Sequence, residues 1–157
     1  MEGAALDWSI PGRREAVRLL IADGDQGYRK FIRKLLERNG DVNVVAEAAD
    51  GEEAVSSCER SKPQVILMDL ELPRFGGLEV IPTLKGEFPR MRVVMVSRVA
   101  DEACRRAAFK CGADAFFSKT AEMSRLLSTI RQSSFVFVYR SSSPHRRCRA
   151  SRTSGYT

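Results

Sequence analysis

The run Val65-Ile66-Leu67-Met68-Asp69 constrains the fold of this chain more than any other segment. Successive side chains of a strand point to opposite faces, so four apolar residues in a row demand cover on both sides, the environment of a central parallel strand. The run then stops on a carboxylate, and open parallel sheets keep their sites at the carboxyl ends of their strands. Arg18-Leu19-Leu20-Ile21-Ala22-Asp23-Gly24-Asp25 has the same design, so two strands bring acidic side chains to one sheet edge. Carboxylates gathered there repel one another unless a cation sits between them, and oxygen ligands at a strand edge suit Mg²⁺ best.

The remaining pattern alternates strand with helix. Asp25 is a good N-cap for a helix from Gln26 to Asn39, with Phe31, Ile32, Leu35 and Leu36 at helical spacing and Gly40 closing it. Val42, Val44 and Ala46 alternate as a short strand, Asp50-Gly51 marks a turn and cap, and Glu52 to Ser61 forms a second helix stopping before Pro63. After strand three and the Gly76-Gly77 loop, Leu78 to Phe88 reads as a helix with Pro82 in its first turns. Arg92 to Ser97 is strand four and Asp101 to Cys111 helix four. Ala115 to Ser118 is strand five, reaching Lys119, and Thr120 caps a last helix through Arg131 with Met123, Leu126, Leu127 and Ile130 inward. Five strand-then-helix units predict right-handed crossovers and a doubly wound α/β domain, its parallel sheet covered on both faces.

A length of 157 residues suits one domain with loose ends: an extension over 1–16, the folded unit over 17–132 and a tail over 133–157. No apolar stretch approaches the roughly 18 residues of a membrane span, and residues 1–15 lack the pattern of a secretory signal, so the expected location is the cytoplasm. Cys58, Cys104, Cys111 and Cys148 form no C-x-x-C pair and read as reduced thiols. The net charge of +6 is concentrated at the C-terminus, where Arg140, Arg146, Arg147, Arg149 and Arg152 have no acid among them and leave about +1 for everything before. Such a Ser/Arg-rich tail is expected to be partly disordered from about Arg140, with non-specific phosphate-backbone binding as the other reading. The apolar run Phe135 to Tyr139 has the pattern of a strand, open to three readings: an extra edge strand, a sticky dimer segment or non-native sequence.

Residues 17–131 resemble the CheY-like receiver domain of two-component response regulators. The matching pieces are Asp23 with Asp25 nearby after strand one, Asp69 ending strand three, Glu71-Leu72-Pro73 with Gly76-Gly77 beyond it, Ser97 ending strand four and Lys119 ending strand five. The wording Gly112 to Lys119 is most similar to receivers of LuxR/NarL-type regulators. The resemblance implies a flavodoxin-like (βα)5 fold of strand order 2-1-3-4-5. It implies that Asp69 is a phosphoacceptor and that Asp23, Asp69 and the backbone carbonyl of Glu71 hold Mg²⁺, with Asp25 a further candidate. Ser97 and Lys119 would contact phosphoryl oxygens, and Phe116 with Ser97 would form the switch. The partners implied are a sensor histidine kinase or phosphotransfer protein, and a second copy through helix four, strand five and helix five. Such a protein is a signalling phosphoacceptor rather than an enzyme.

Two positions depart from the pattern. Gly24 stands where receivers carry a second acid that ligates the metal, and Arg98 follows Ser97 where a small residue is common. Either Asp25 swings in as a substitute or metal binds poorly and phosphorylation is slow or absent, which leaves a degenerate, phosphorylation-independent interaction module as the alternative. A flavodoxin-like or nucleotide-binding enzyme is disfavoured because neither G-x-G-x-x-G nor G-x-x-x-x-G-K-[ST] occurs. Specific DNA binding is not expected, since about 25 residues after the last helix cannot make a helix-turn-helix module.

Overall fold

The computed structural model describes residues 15–139, with side chains to Ser133. The elements are β1 (Val17–Ala22), α1 (Gln26–Glu37), β2 (Val42–Ala48), α2 (Gly51–Ser61), β3 (Val65–Asp69), α3 (Gly77–Glu87), β4 (Arg92–Ser97), α4 (Glu102–Cys111), β5 (Ala115–Ser118) and α5 (Met123–Tyr139). All strand pairs are parallel and the sheet order is β2-β1-β3-β4-β5, the flavodoxin-like arrangement expected. From β1 the chain moves outward to β2 on one side and then returns to β3 on the other. The carboxyl ends of β1 and β3 therefore flank the switch point where crevices form in such sheets.

Strand alternation divides the core in two. Leu20, Ala22, Ile66, Met68, Val93, Met95 and Phe116 face one side with Ala54, Ile81, Leu84 and Ala108 of α2, α3 and α4. Leu19, Ile21, Val65, Leu67, Val94, Val96 and Phe117 face the other with Ile32, Leu36, Leu126 and Ile130 of α1 and α5. The uninterrupted apolar runs are required by this two-sided burial, which contributes about 1.5–3 kcal/mol for each large side chain.

Local chemistry sets the helix ends. Asp25, Asp50 and Asp101 cap α1, α2 and α4 by accepting from the amides of Tyr28, Glu53 and Cys104. Glu53 returns the contact to the Ala49 amide at 2.8 Å, tying the α2 terminus to the end of β2. Gly77 lets α3 begin against β3, since a Cβ there would collide with the Asp69 carbonyl oxygen and stand 2.9 Å from Met95 Cε.

Several expectations need correction. A bulge between Leu19 and Leu20 in the β1–β2 register leaves Val45 unpaired, so Ala46 packs on the opposite core from Val42 and Val44 instead of continuing their alternation. Helix α1 ends at Glu37, short of Asn39, and Phe31 is 52% exposed because the buried stripe runs through Ile32 and Leu36. Thr120 does not cap the last helix: the Ser118 hydroxyl accepts from the Thr120 and Ala121 amides, and α5 starts later, at Met123. Helix α5 continues through Tyr139, so Phe135 to Tyr139 is helical and not a strand. Extending an existing helix adds one hydrogen bond per residue fixed, which outweighs a weak β propensity. Cys58, Cys104 and Cys111 are free thiols, as expected, while residues 1–14 of the N-terminal extension, Cys148 and the Arg-rich stretch from Arg140 lie outside the described residues.

Candidate functional site

Three charged side chains converge at the carboxyl edge of the sheet. Asp23 follows β1, Asp69 ends β3, and Lys119 follows β5, yet they are only 2%, 7% and 8% exposed. Burying charges is costly unless they are paired, and here the pairing is direct. The Lys119 ammonium donates to Asp23 Oδ2 at 2.6 Å and to Asp69 Oδ2 at 3.1 Å. Its Nζ also lies 4.2 Å from the centroid of the Tyr28 ring on α1, which gives the cation an aromatic face. The other carboxylate oxygens are held by backbone: Asp23 Oδ1 accepts from the Asp25 amide at 2.8 Å and Asp69 Oδ1 from the Glu71 amide at 3.2 Å.

These surroundings make Asp69 a basic carboxylate. Burial raises its pKa above the ordinary value, the neighbouring Asp23 raises it further, and Lys119 opposes both in part. Ser97 at the tip of β4 is fully buried, with its Oγ accepting from the Val99 amide at 3.1 Å. Its backbone carbonyl accepts from the Lys119 amide at 3.0 Å, so the lysine is anchored through its main chain to the adjacent strand.

Residues 19–131 match the response regulator receiver domain. The chain belongs to that family. DegU, a transcriptional regulatory protein of Brevibacillus brevis, is 30% identical over 115 residues, covering 73% of this chain and 49% of DegU. The uncharacterized transcriptional regulatory protein YhcZ of Bacillus subtilis (strain 168) is 32% identical over 113 residues, covering 72% of this chain and 53% of YhcZ. The chain thus spans about half the length of the curated relatives it matches. Among solved structures, the response regulator domain of Thermotoga maritima CheB superposes with a TM-score of 0.71 at 31% identity, over 76% of this chain and 97% of that one. The receiver domain of NarL from Mycobacterium tuberculosis gives a TM-score of 0.72 at 26% identity, over 77% and 98%.

The receiver brings together Asp23, Asp69 and Lys119, with Ser97 buried at the adjoining strand tip. Asp25 stands apart. Its carboxylate caps α1 and meets Arg98 Nη2 at 3.1 Å, and these contacts hold its pKa below the ordinary value, the Tyr28 amide first and Arg98 later. Gly24 approaches Pro73 so closely that a Cβ would stand 3.2 Å from two atoms of its ring. Phe116 points into the core on the α4 side, away from the charged cluster. Arg105 of α4 lies 5.2 Å from the Phe116 ring centroid, donates to the Phe116 carbonyl at 3.0 Å and reaches Glu122 at 3.2 Å. Glu122 also accepts from the Ser118 amide at 2.9 Å.

Sequence reasoning missed Tyr28, Arg105 and Glu122. Tyr28 sits one turn before Ile32 on the apolar stripe of α1 and therefore reads as core. Arg105 and Glu122 sit on α4 and in the β5–α5 connection and read as ordinary solvated charges. Their roles depend on long-range packing, although Glu122 just before α5 carries a detectable signal as an acid at a helix N-terminus.

Proposed function

We propose that this receiver accepts a phosphoryl group on Asp69 and thereby biases the face built from α4, β5 and α5 between two arrangements read by partner proteins. The observation that supports this reading most is the Lys119 ammonium held between two buried carboxylates at the switch point of the sheet. In the transfer, an Asp69 carboxylate oxygen forms a bond to phosphorus while the bond from phosphorus to the donor breaks, the electron pair leaving with acetate or an imidazole. Lys119 would oppose negative charge on one phosphoryl oxygen, and the Ser97 hydroxyl would donate to another. Phe116 would move with Ser97, and Arg105 would carry that movement to α4. The donor would be a sensor histidine kinase or phosphotransfer protein, the setting cytoplasmic, and the chemistry that of a signalling phosphoacceptor and not of an enzyme.

Mg²⁺ is the cofactor that the family implies, and the donor set is of the right kind but short of one acid. Asp23 and Asp69 provide hard oxygens and the Glu71 carbonyl a further one, whereas Gly24 provides no side chain and Asp25 is committed to its cap and to Arg98. Among the described residues no group of three or more His, Cys, Asp or Glu side chains is placed to hold a metal. Mg²⁺ keeps several waters and is commonly held by one or two carboxylates, so these residues fit it as a weaker site. When bound, the ion would offset charge on the carboxylates and the phosphoryl oxygens.

Intact mass after incubation with acetyl phosphate tests the reading, with and without Mg²⁺ and beside Asp69→Asn. The expected result is a gain of one phosphoryl group that depends on Mg²⁺ and disappears in the variant. No gain by a folded wild-type chain would favour the second reading, a phosphorylation-independent interaction module. The Asp25–Arg98 pair and the side-chain-free position 24 are the observations that support it.

A further inference from the structure

We propose that Arg98 and Asp25 form an ionic latch across the mouth of the site, and that a phosphate-class oxyanion at Asp69 takes Arg98 away from Asp25. The proposal rests on the reading of Asp69 as the residue that receives the phosphoryl group. Strand order carries the argument. Strands β1 and β4 are not neighbours; β3, with Asp69 at its tip, lies between them. Adjacent strands are about 4.8 Å apart, so a contact between the loops after β1 and β4 spans roughly 10 Å of sheet edge across the β3 position. The 3.1 Å contact from Arg98 Nη2 to Asp25 Oδ2 makes that crossing.

The two partners are held unequally. Asp25 is fixed three times over: Oδ1 accepts from the Tyr28 amide at 3.2 Å, its own amide donates to Asp23 Oδ1 at 2.8 Å, and its carbonyl accepts from the Arg29 amide at 3.0 Å. Arg98 is a long side chain, 65% exposed, on the residue immediately after Ser97. An exposed ion pair of this kind holds weakly, whereas a guanidinium fork matches two oxygens of a phosphoryl group and strengthens as charge accumulates. Charge at the site favours the exchange. Two buried carboxylates face one buried ammonium, and an arriving phosphoryl group adds negative charge that a carboxylate-poor metal position would offset incompletely. The latch thus supplies a cation from the protein itself and releases Asp25 Oδ2 from its ion pair once the site is filled, while Oδ1 keeps the α1 cap.

The test uses the full chain and inorganic phosphate as probe, followed by amide NMR at fixed ionic strength without Mg²⁺. The variants are Arg98→Ala, Arg98→Lys and Asp25→Asn, the last keeping a good helix cap while removing the competing charge. Phosphate should perturb the amides of Lys119 and Leu70, and Arg98→Ala should weaken its Kd by about 5–10-fold, the range of one charged contact. Arg98→Lys should fall between, and Asp25→Asn should tighten Kd severalfold. Equal Kd values for wild type and Arg98→Ala, no tightening in Asp25→Asn, or no saturable binding in either wild type or Asp25→Asn would each overturn the latch. Acetyl phosphate incubation separates the two readings. A wild type that gains no mass but shows the predicted order of phosphate affinities keeps the latch and loses the phosphoacceptor. A mass gain with phosphate affinities indifferent to Arg98 and Asp25 does the reverse.

Discussion

Tyr28 shows how one side chain serves both packing and the site. Its ring supports the Lys119 ammonium, but its hydroxyl is buried with no hydrogen-bond partner among the described residues, and burial together with Asp23 and Asp69 pushes its pKa upward. Tyr28→Phe keeps the ring and removes an unsatisfied group, so urea denaturation should show a gain of about 1 kcal/mol. Tyr28→Leu loses the aromatic face and should cost about 1 kcal/mol, and should slow the phosphoryl transfer proposed for Asp69. Asp69 gives a pH-dependent expectation. Its pKa is raised on folding, by burial first, so the stabilisation from this group is present below its unfolded pKa and lost as pH rises through the folded value. At neutral pH the ionised side chain therefore opposes folding. Asp69→Asn should have a higher urea midpoint than wild type near pH 7, with the difference shrinking as pH falls through the raised folded pKa and levelling off below about 4, the unfolded value.

The elements differ in how much their form owes to neighbours. Helix α3 contains two glycines with opposite consequences. Gly77→Ala would force a Cβ into the Asp69 carbonyl and Met95, so denaturation should show a loss of about 2 kcal/mol or more, together with a displaced Asp69. Gly86 has open space around the position of a Cβ, and Gly86→Ala should instead stabilise by about 0.5–1 kcal/mol through helix propensity. Strands β3, β4 and β5 and the caps of α1 and α2 were legible in sequence because they depend on local patterns, apolar runs, Asp caps, Gly and Pro stops, whereas Asp101 read as the first residue of α4 and is its cap. The β2 bulge was not, since its only mark is a register shift against β1. The continuation of α5 through Phe135 to Tyr139 was hidden for a related reason, because β-branched and aromatic residues carry strand propensity that an established helix overrides.

For the molecule as a whole, Arg105 and Glu122 join the α4–β5–α5 face to the end of β5 beside the site. Arg105 ties α4 to the Phe116 carbonyl and to Glu122, and Glu122 holds the Ser118 amide next to Lys119. Arg105→Ala should accelerate hydrogen exchange at the Ser118 and Leu126 amides by about tenfold, equivalent to ~1.4 kcal/mol of local stability, while the β1 amides remain protected. The linear sequence by itself determined the alternation of strands and helices, the two-sided burial of the sheet and the positions of Asp23, Asp69, Ser97 and Lys119 at strand ends, because periodicity and apolar runs are local properties. Only the tertiary structure decided which of those ends meet. Lys119 stands 96 residues from Asp23 in the chain, and the order β2-β1-β3-β4-β5 is what brings its ammonium between Asp23 and Asp69. The same order turned Asp25 away from that cluster and toward Arg98, since a helix cap and a cation across β3 satisfy its carboxylate where the ring of Pro73 leaves little room beside Gly24.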